Sequence, residues 1–170
     1  MTKTKRLAIN AMLSAMCVVL STISLDLGNI KLTLEGLPIL SAALLLGGWS
    51  GGAVGLVGIL ISQLLRYGLT VTTPLWILPH VVCGLTVGFY AQKKGFALSI
   101  GQAIGIVTVG ELLVTALNSL ALYIDSRIFG YYTPTIITGM LALRTALAVA
   151  RAVAYGALLP PLLERLRKRL

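Results

Sequence analysis

Long apolar stretches separated by short polar segments make up nearly the whole chain. An α-helix needs about 20 predominantly apolar residues to cross a bilayer. The pattern predicts six membrane spans, at Leu7–Leu25, Leu37–Leu46, Gly52–Tyr67, Pro74–Ala91, Ala97–Tyr123 and Thr135–Leu163. The second span is too short to cross unaided, and the segment before it is polar. We therefore expect the second helix to begin inside the protein rather than in lipid.

The composition agrees with a membrane protein. Of the 170 residues, 57% are hydrophobic and only 11% are charged, whereas a soluble domain has about 25% charged residues. No connection between the spans is long enough to hold a soluble domain. The sequence predicts an all-α integral membrane protein, a six-helix bundle that forms a single transmembrane domain over residues 1–170.

The basic residues that give the chain its net charge of +9 are distributed unevenly between the two sides of the membrane. One side carries both termini and three basic clusters, and the other side carries three single basic residues. The clusters are Lys3, Lys5 and Arg6; Lys93 and Lys94; and Arg165, Arg167, Lys168 and Arg169, and the single residues are Lys31, Arg66 and Arg127. This is the positive-inside distribution, so both termini are expected to be cytoplasmic and no nucleic-acid partner is expected.

Four polar residues lie deep in the last two spans, Glu111 and Asn118 in the fifth and Arg144 and Arg151 in the sixth. A charged side chain that faced lipid there would cost about 2.5–3.5 kcal/mol on insertion scales, so such residues face a protein interior or a wet cavity. In two consecutive antiparallel helices, residues at equal depth have numbers with a constant sum. Glu111 with Arg151 and Asn118 with Arg144 give the same sum. On each helix the two residues are seven positions apart, which is two turns, so they lie on the same face.

The two predicted levels have different charge balances. Glu111 and Arg151 would form a buried ion pair, whose role is either structural or functional. Arg144 faces the neutral amide of Asn118, so its positive charge is left over. A guanidinium is well suited to bidentate binding of a carboxylate, which makes Arg144 and Asn118 candidate contacts for an anionic ligand.

Further candidate ligand contacts lie in or near the predicted outer loops. His80 is either a hydrogen-bonded core residue, a ligand contact or a proton relay. Gln63 would contact ligand or cap a break in the backbone, and Tyr131 and Tyr132 would contact ligand or belong to an interfacial aromatic belt. Lys31 in the first outer loop completes the set.

Motifs for catalysis are absent from the sequence. The chain has no glycine-rich loop ending in Gly-Lys-Ser or Gly-Lys-Thr, no His/Glu metal motif and no nucleophile elbow. We therefore expect neither an enzyme nor a cofactor or metal site.

Several segments, taken in order, resemble a known family. The chain is similar to the S components, the substrate-binding subunits of energy-coupling factor (ECF) vitamin transporters, and most similar to the folate-type members. The segments are the small residues Ala8, Ala11 and Ala15 of the first span; Gly36-Leu37-Pro38-Ile39; Leu46-Gly47-Gly48-Trp49-Ser50-Gly51-Gly52; Leu75-Trp76-Ile77-Leu78-Pro79; and Asn118.

This resemblance implies a six-helix bundle in a prokaryotic plasma membrane that binds a vitamin from outside under the first and third outer loops. It implies a membrane scaffold subunit with two cytoplasmic ATPases as partners, contacted through Ala8, Ala11 and Ala15, and delivery by toppling of the bundle. Glu111 and Arg151 are not among the residues that carry the resemblance. The alternatives are an S component for another vitamin such as pantothenate, a stand-alone carrier in which Glu111 and His80 exchange protons, and a structural subunit.

Overall fold

The structure, a computed structural model, describes residues 2–26 and 31–167. These residues form six α-helices and one pair of short antiparallel strands. The elements are α1 (Lys3–Thr22), β1 (Ser24–Asp26), β2 (Lys31–Thr33), α2 (Gly36–Leu46), α3 (Gly48–Tyr67), α4 (Thr73–Lys93), α5 (Ile100–Ile128) and α6 (Pro134–Arg167). All helices except the 11-residue α2 are long and apolar enough to cross a membrane. The predicted all-α bundle of six helices is confirmed, with a small β-hairpin added between α1 and α2.

Two predicted boundaries at polar or glycine-rich segments were wrong. Of the segment Gly47–Gly51, which separates the second and third predicted spans, only Gly47 lies outside a helix, and its φ of 97° joins α2 directly to α3. Only glycine adopts this conformation readily, and a Cβ there would lie 2.5 Å from the Gln92 side chain. At the other end of the bundle, α5 continues five residues beyond Tyr123. The polar residues there are accommodated because Asp125 and Ser126 are buried and hydrogen-bonded.

The last helix also extends further than predicted, through Pro160 and Pro161 to Arg167. Proline lacks the backbone N–H and normally ends or kinks a helix. On either side of the two prolines, Leu159 and Leu163 are 1% and 6% exposed and belong to the main hydrophobic core. Burial of these two leucines favours continuation of the helix.

Glycines bring the backbones of α3 and α4 into close contact. A Cβ on Gly84 would lie 2.4 Å from the carbonyl carbon of Gly51, and one on Gly88 would lie 2.4 Å from the nitrogen of Gly48. Small residues allow such approach of two helix backbones in a membrane. This contact fixes the position of α4, which carries His80 and Trp76.

The first helix packs through one face and leaves the other face open. Ser14, Cys17 and Ser21 are buried, and the Ser21 hydroxyl donates a 2.7 Å hydrogen bond to the Ser62 hydroxyl on α3. Ala8, Ala11 and Ala15 are all exposed on the opposite face. The small-residue face predicted for α1 is therefore not used for packing among the described residues.

The β-hairpin covers the end of the bundle that the predicted orientation places outside the cell. We call this the outer end. Ser24 pairs with Thr33 and Asp26 with Lys31. The chain then passes through Glu35, the residue before the first turn of α2. The hairpin thus delivers an acidic side chain to the interior of the bundle.

Candidate functional site

Helices α2, α4, α5 and α6 enclose a cavity of about 250 Å³, the deep cavity. Its apolar walls include Ile39, Val114 and Leu147, and its polar groups come from four parts of the chain. The cavity brings together five of the residues predicted from the sequence, along with others. The polar side chains contributed by α4, α5 and α6 include His80, Glu111, Asn118, Arg144, Arg151 and Tyr155.

The deepest charged groups are paired. Arg151 Nη2 lies 2.8 Å from Glu111 Oε2, and Arg151 Nε donates to the same oxygen at 3.0 Å. The other carboxylate oxygen, Oε1, lies against the first turn of α2, where a Cβ on Gly36 would be 3.2 Å away. Glu111, which is only 4% exposed, thus lies between the guanidinium of Arg151 and the first turn of α2.

Asn118 and Arg144, the second predicted pair, are not joined by an ion pair like that of Glu111 and Arg151. Asn118 and Arg144 both line the deep cavity. Arg144 makes no ion pair or hydrogen bond with any residue that the structure describes. The cavity therefore holds a guanidinium that no described carboxylate contacts.

His80 contacts an acidic residue that was not predicted to belong to the site. Its Nε2 lies 3.4 Å from Glu35 Oε1. Burial on its own would raise the pKa of the Glu35 carboxyl, but hydrogen bonds from His80 and Thr33 and the charge of Arg66 act against burial, and the pKa is lowered. The backbone of Glu35 is also held, because the Cys17 thiol donates to its carbonyl oxygen at 3.5 Å.

A second cavity of about 520 Å³, the outer cavity, adjoins the first towards the outer end. Glu35, Trp76, His80 and Asn118 line both cavities, so the two spaces are contiguous. The predicted residues Gln63 and Tyr131 line the outer cavity. A pocket with apolar walls and a few convergent polar groups is typical of a small-molecule site.

Asp125 organises the wall of the outer cavity. Its carboxylate accepts a hydrogen bond from Trp76 Nε1 at 3.4 Å and another from the Tyr131 hydroxyl. Burial and this bond to the carboxylate raise the pKa of Tyr131 to about 12, so the phenol stays a neutral donor at physiological pH. The contacts tie the connection between α5 and α6 to the outer end of α4.

Two predicted contacts are not placed in either cavity. Tyr132 packs on Arg127, whose guanidinium carbon is 4.3 Å from the ring centroid, and edge-to-face on Tyr123. It is not among the described lining residues. Lys31 begins β2, and its side chain lies outside the described part of the structure. Ligand contact by Tyr132 and Lys31 stays a prediction.

Four residues of the site were not predicted from the sequence: Glu35, Trp76, Asp125 and Tyr155. Tyr155 had a usable signal, because it follows Arg151 by one helical turn and so shares its face. The other three are brought to the site by the hairpin, by the packing of α4 and by the extension of α5, which leave no local pattern. Among the described residues, no three His, Cys, Asp or Glu side chains are grouped so as to hold a metal ion.

Comparisons with known proteins agree on the architecture. One solved structure, described as the S-component for biotin from an ECF-type ABC transporter, matches with a TM-score of 0.71 and 19% identity over 99% of this chain and 95% of that chain. Another, described as the S component of a bacterial ECF transporter, matches with a TM-score of 0.54 and 17% identity over 98% and 93% of the two chains. At these identities the likeness establishes the fold alone.

Sequence comparison is more specific about descent. The family model described as "ECF transporter, substrate-specific component" matches residues 5–163. No curated protein matches the chain. The match includes all or most of each of the six helices and every cavity residue discussed above.

Proposed function

The chain belongs to the family of ECF transporter substrate-specific components, and from that premise we propose that it captures a small carboxylate-bearing vitamin outside a prokaryotic cell. A member of this family is a substrate-binding subunit of a transporter and not an enzyme. The protein would lie in the plasma membrane with both termini in the cytoplasm, as the basic clusters indicate. A stand-alone proton-coupled carrier is not favoured by the family match.

Arg144 carries the proposal of an anionic ligand. A cation without a contacting partner in a cavity at membrane depth is costly, and a ligand carboxylate would offset that cost through charge-assisted hydrogen bonds. The other deep cation, Arg151, is already neutralised by Glu111. We therefore assign the ligand carboxylate to Arg144, with Asn118 beside it at the same level.

Two vitamins deserve direct comparison as ligands. The sequence resemblance favours a folate-like ligand, whereas one structural neighbour is described as the S-component for biotin. Both vitamins carry a carboxylate and so both suit Arg144. The larger folate would need the outer cavity, lined by Gln63 and Tyr131, as well as the deep cavity.

The exposed alanine face of α1 supports docking on a partner helix. Ala8, Ala11 and Ala15 form a small-residue face that no described element of the bundle covers. We propose that this face contacts the membrane scaffold subunit, which carries the two cytoplasmic ATPases. Toppling of the bundle on the scaffold would then deliver the vitamin inside.

The proposal is tested by identifying the ligand. Protein purified in detergent would be unfolded, and released small molecules identified by mass spectrometry. Thermal unfolding would then be measured with biotin, folate and pantothenate, each alongside its carboxamide as a matched uncharged control. We expect one carboxylate vitamin to co-purify and to raise the unfolding temperature, and its carboxamide to do so much less. Equal stabilisation by acid and amide, or no vitamin in either assay, would refute the proposal.

A further inference from the structure

Three polar atoms in the wall of the deep cavity are buried and have no hydrogen-bond partner among the described residues. They are His80 Nδ1, Asn118 Oδ1 and the Tyr155 hydroxyl oxygen. Most buried polar atoms in folded proteins are hydrogen-bonded. Of the four unpartnered buried atoms among the described side chains, three line this one cavity. Their concentration there is explained if a ligand supplies the missing partners.

The hydrogen-bonding capacity of the three atoms defines what the ligand must offer. His80 Nε2 faces a carboxylate oxygen of Glu35, which can only accept, so Nε2 carries a proton. When that is the only proton on the ring, Nδ1 is an acceptor. Asn118 Oδ1 is also an acceptor, and the Tyr155 hydroxyl can donate. The complementary ligand group therefore has N–H donors and a carbonyl acceptor.

The charge balance at this depth requires that group to be uncharged. Glu111 is compensated by Arg151. Burial of a charge without a partner is strongly unfavourable, whereas a neutral polar group needs only its hydrogen bonds. Arg144 lies about three helical turns outward of Tyr155 along α6, so the ligand carboxylate would lie on the outer side of the neutral group.

Tyr155 is well placed to discriminate between ligands. Helical side chains lean towards the helix N-terminus, which for α6 is the outer end, so the phenol reaches up into the cavity from its floor. Its Cε2 atom lies 3.6 Å from the position of a Cβ on Gly36, so the ring packs against the start of α2. With only 5% of Tyr155 exposed, the hydroxyl has little freedom to find another partner.

We propose that the deep cavity binds an uncharged ring of the cyclic urea or cyclic amide class. Tyr155 donates to the ring carbonyl and His80 accepts from a ring N–H group, while Asn118, at the level of Arg144, accepts from an N–H group on the outer side of the ring. This assignment rests on the proposed function and specifies the second half of its ligand: a carboxylate at Arg144 joined to a neutral N–H and C=O ring.

The test uses ring fragments without a carboxylate, so that it is independent of Arg144. Binding of 2-imidazolidinone and of its 1,3-dimethyl derivative, which lacks both N–H groups, would be measured by ligand-observed NMR on the full chain freed of co-purified ligand. We expect the parent ring to bind and the dimethyl ring to bind at least ~10-fold more weakly. Equal binding of the two, or binding of neither, would overturn the ring assignment.

Two tyrosine variants separate recognition from structure. Tyr155→Phe should weaken binding of 2-imidazolidinone by ~3- to 10-fold, the loss of one neutral hydrogen bond. Tyr123→Phe is the matched control, because Tyr123 lines neither cavity among the described residues. Without ligand, Tyr155→Phe should unfold at the same temperature as the wild type or higher, since the deleted hydroxyl has no partner. Unchanged fragment binding with a lowered unfolding temperature would assign Tyr155 a structural role.

The two proposals fail separately. If a carboxylate vitamin binds through Arg144 but the fragment pair shows no N–H dependence, the ring assignment is wrong and the proposed function stands. If the parent fragment binds as expected but no carboxylate vitamin binds, the proposed function is wrong.

Discussion

Arg151 places two guanidinium nitrogens on a single oxygen of Glu111, Nη2 at 2.8 Å and Nε at 3.0 Å. The second oxygen of Glu111 is left to the first turn of α2. One carboxylate thus links α5 to α6 and to α2, the three elements that form the floor of the deep cavity. The pair is better described as part of the framework of the site than as its ligand-binding charge.

Breaking this pair from one side should destabilise the bundle. Arg151→Met or Glu111→Gln leaves a buried charge without its partner, and we expect a loss of about 3–5 kcal/mol in unfolding free energy. The double variant Glu111→Gln/Arg151→Met removes both charges and should recover part of that loss. Chemical denaturation in detergent measures all three. Single variants as stable as the wild type would show that the pair is not a framework contact.

Replacement of Arg144 should lower ligand affinity and leave stability unchanged. Arg144→Ala removes a cation that no described residue contacts, so stability without ligand should be retained while affinity for the carboxylate vitamin falls by about 1.5–3 kcal/mol. Arg144→Lys keeps the charge but loses the bidentate geometry, and its affinity should lie between the two. Isothermal titration with the identified vitamin and with its carboxamide gives the comparison. An affinity that does not change in Arg144→Ala would remove this residue from the site.

A bulky residue on the alanine face of α1 should separate binding from transport. Ala11→Trp would prevent close approach of a partner helix, so uptake in cells that contain the scaffold and ATPases should be lost while vitamin affinity is unchanged. Ala146→Trp is the control, because Ala146 is an exposed alanine on α6. Loss of uptake in both variants, or loss of affinity in Ala11→Trp, would contradict docking through α1.

Acidification should expose the contribution of Glu35. Its pKa in the folded protein is held below the ordinary value of 4.5. The ionised carboxylate therefore contributes stability that is fully present above about pH 4.5 and is lost as the pH falls through the folded-state pKa. Thermal unfolding between pH 7 and pH 3 should show a gap between wild type and Glu35→Gln that closes at low pH. A gap independent of pH would rule out the charge as its cause.

The depth of the charged residues was predictable from the sequence, and their partners were only partly so. Two consecutive antiparallel helices relate residue number to height, which is why Glu111 and Arg151 could be matched without a structure. Glu35 could not be matched to His80 in this way, because Glu35 lies between the hairpin and α2, outside any helix, and so has no regular register with α4. Asp125 fell outside the fifth predicted span, which ended at Tyr123 because the residues that follow are polar. Its burial depends on Trp76 and Tyr131, which come from other parts of the chain.

The contact between α3 and α4 makes the strongest prediction about the fold, because backbone atoms are involved on both sides. A Cβ on Gly84 would lie 2.4 Å from the carbonyl carbon of Gly51, and neither backbone can yield without separating the helices. Gly84→Ala should therefore cost about 1–3 kcal/mol or more by overpacking. Because α4 also carries His80 and Trp76, affinity for the vitamin should fall as well.

Gly105→Ala is the matched control for this substitution. Gly105 is an exposed residue within α5, and a Cβ there meets no atom within 4 Å. Its replacement should leave affinity unchanged and should be neutral or stabilising by up to about 1 kcal/mol, since alanine has the higher helix propensity. Denaturation and titration of the two variants side by side distinguish close packing from a general effect of adding a methyl group. Equal behaviour of Gly84→Ala and Gly105→Ala would mean that the two helices do not approach as closely as the structure shows.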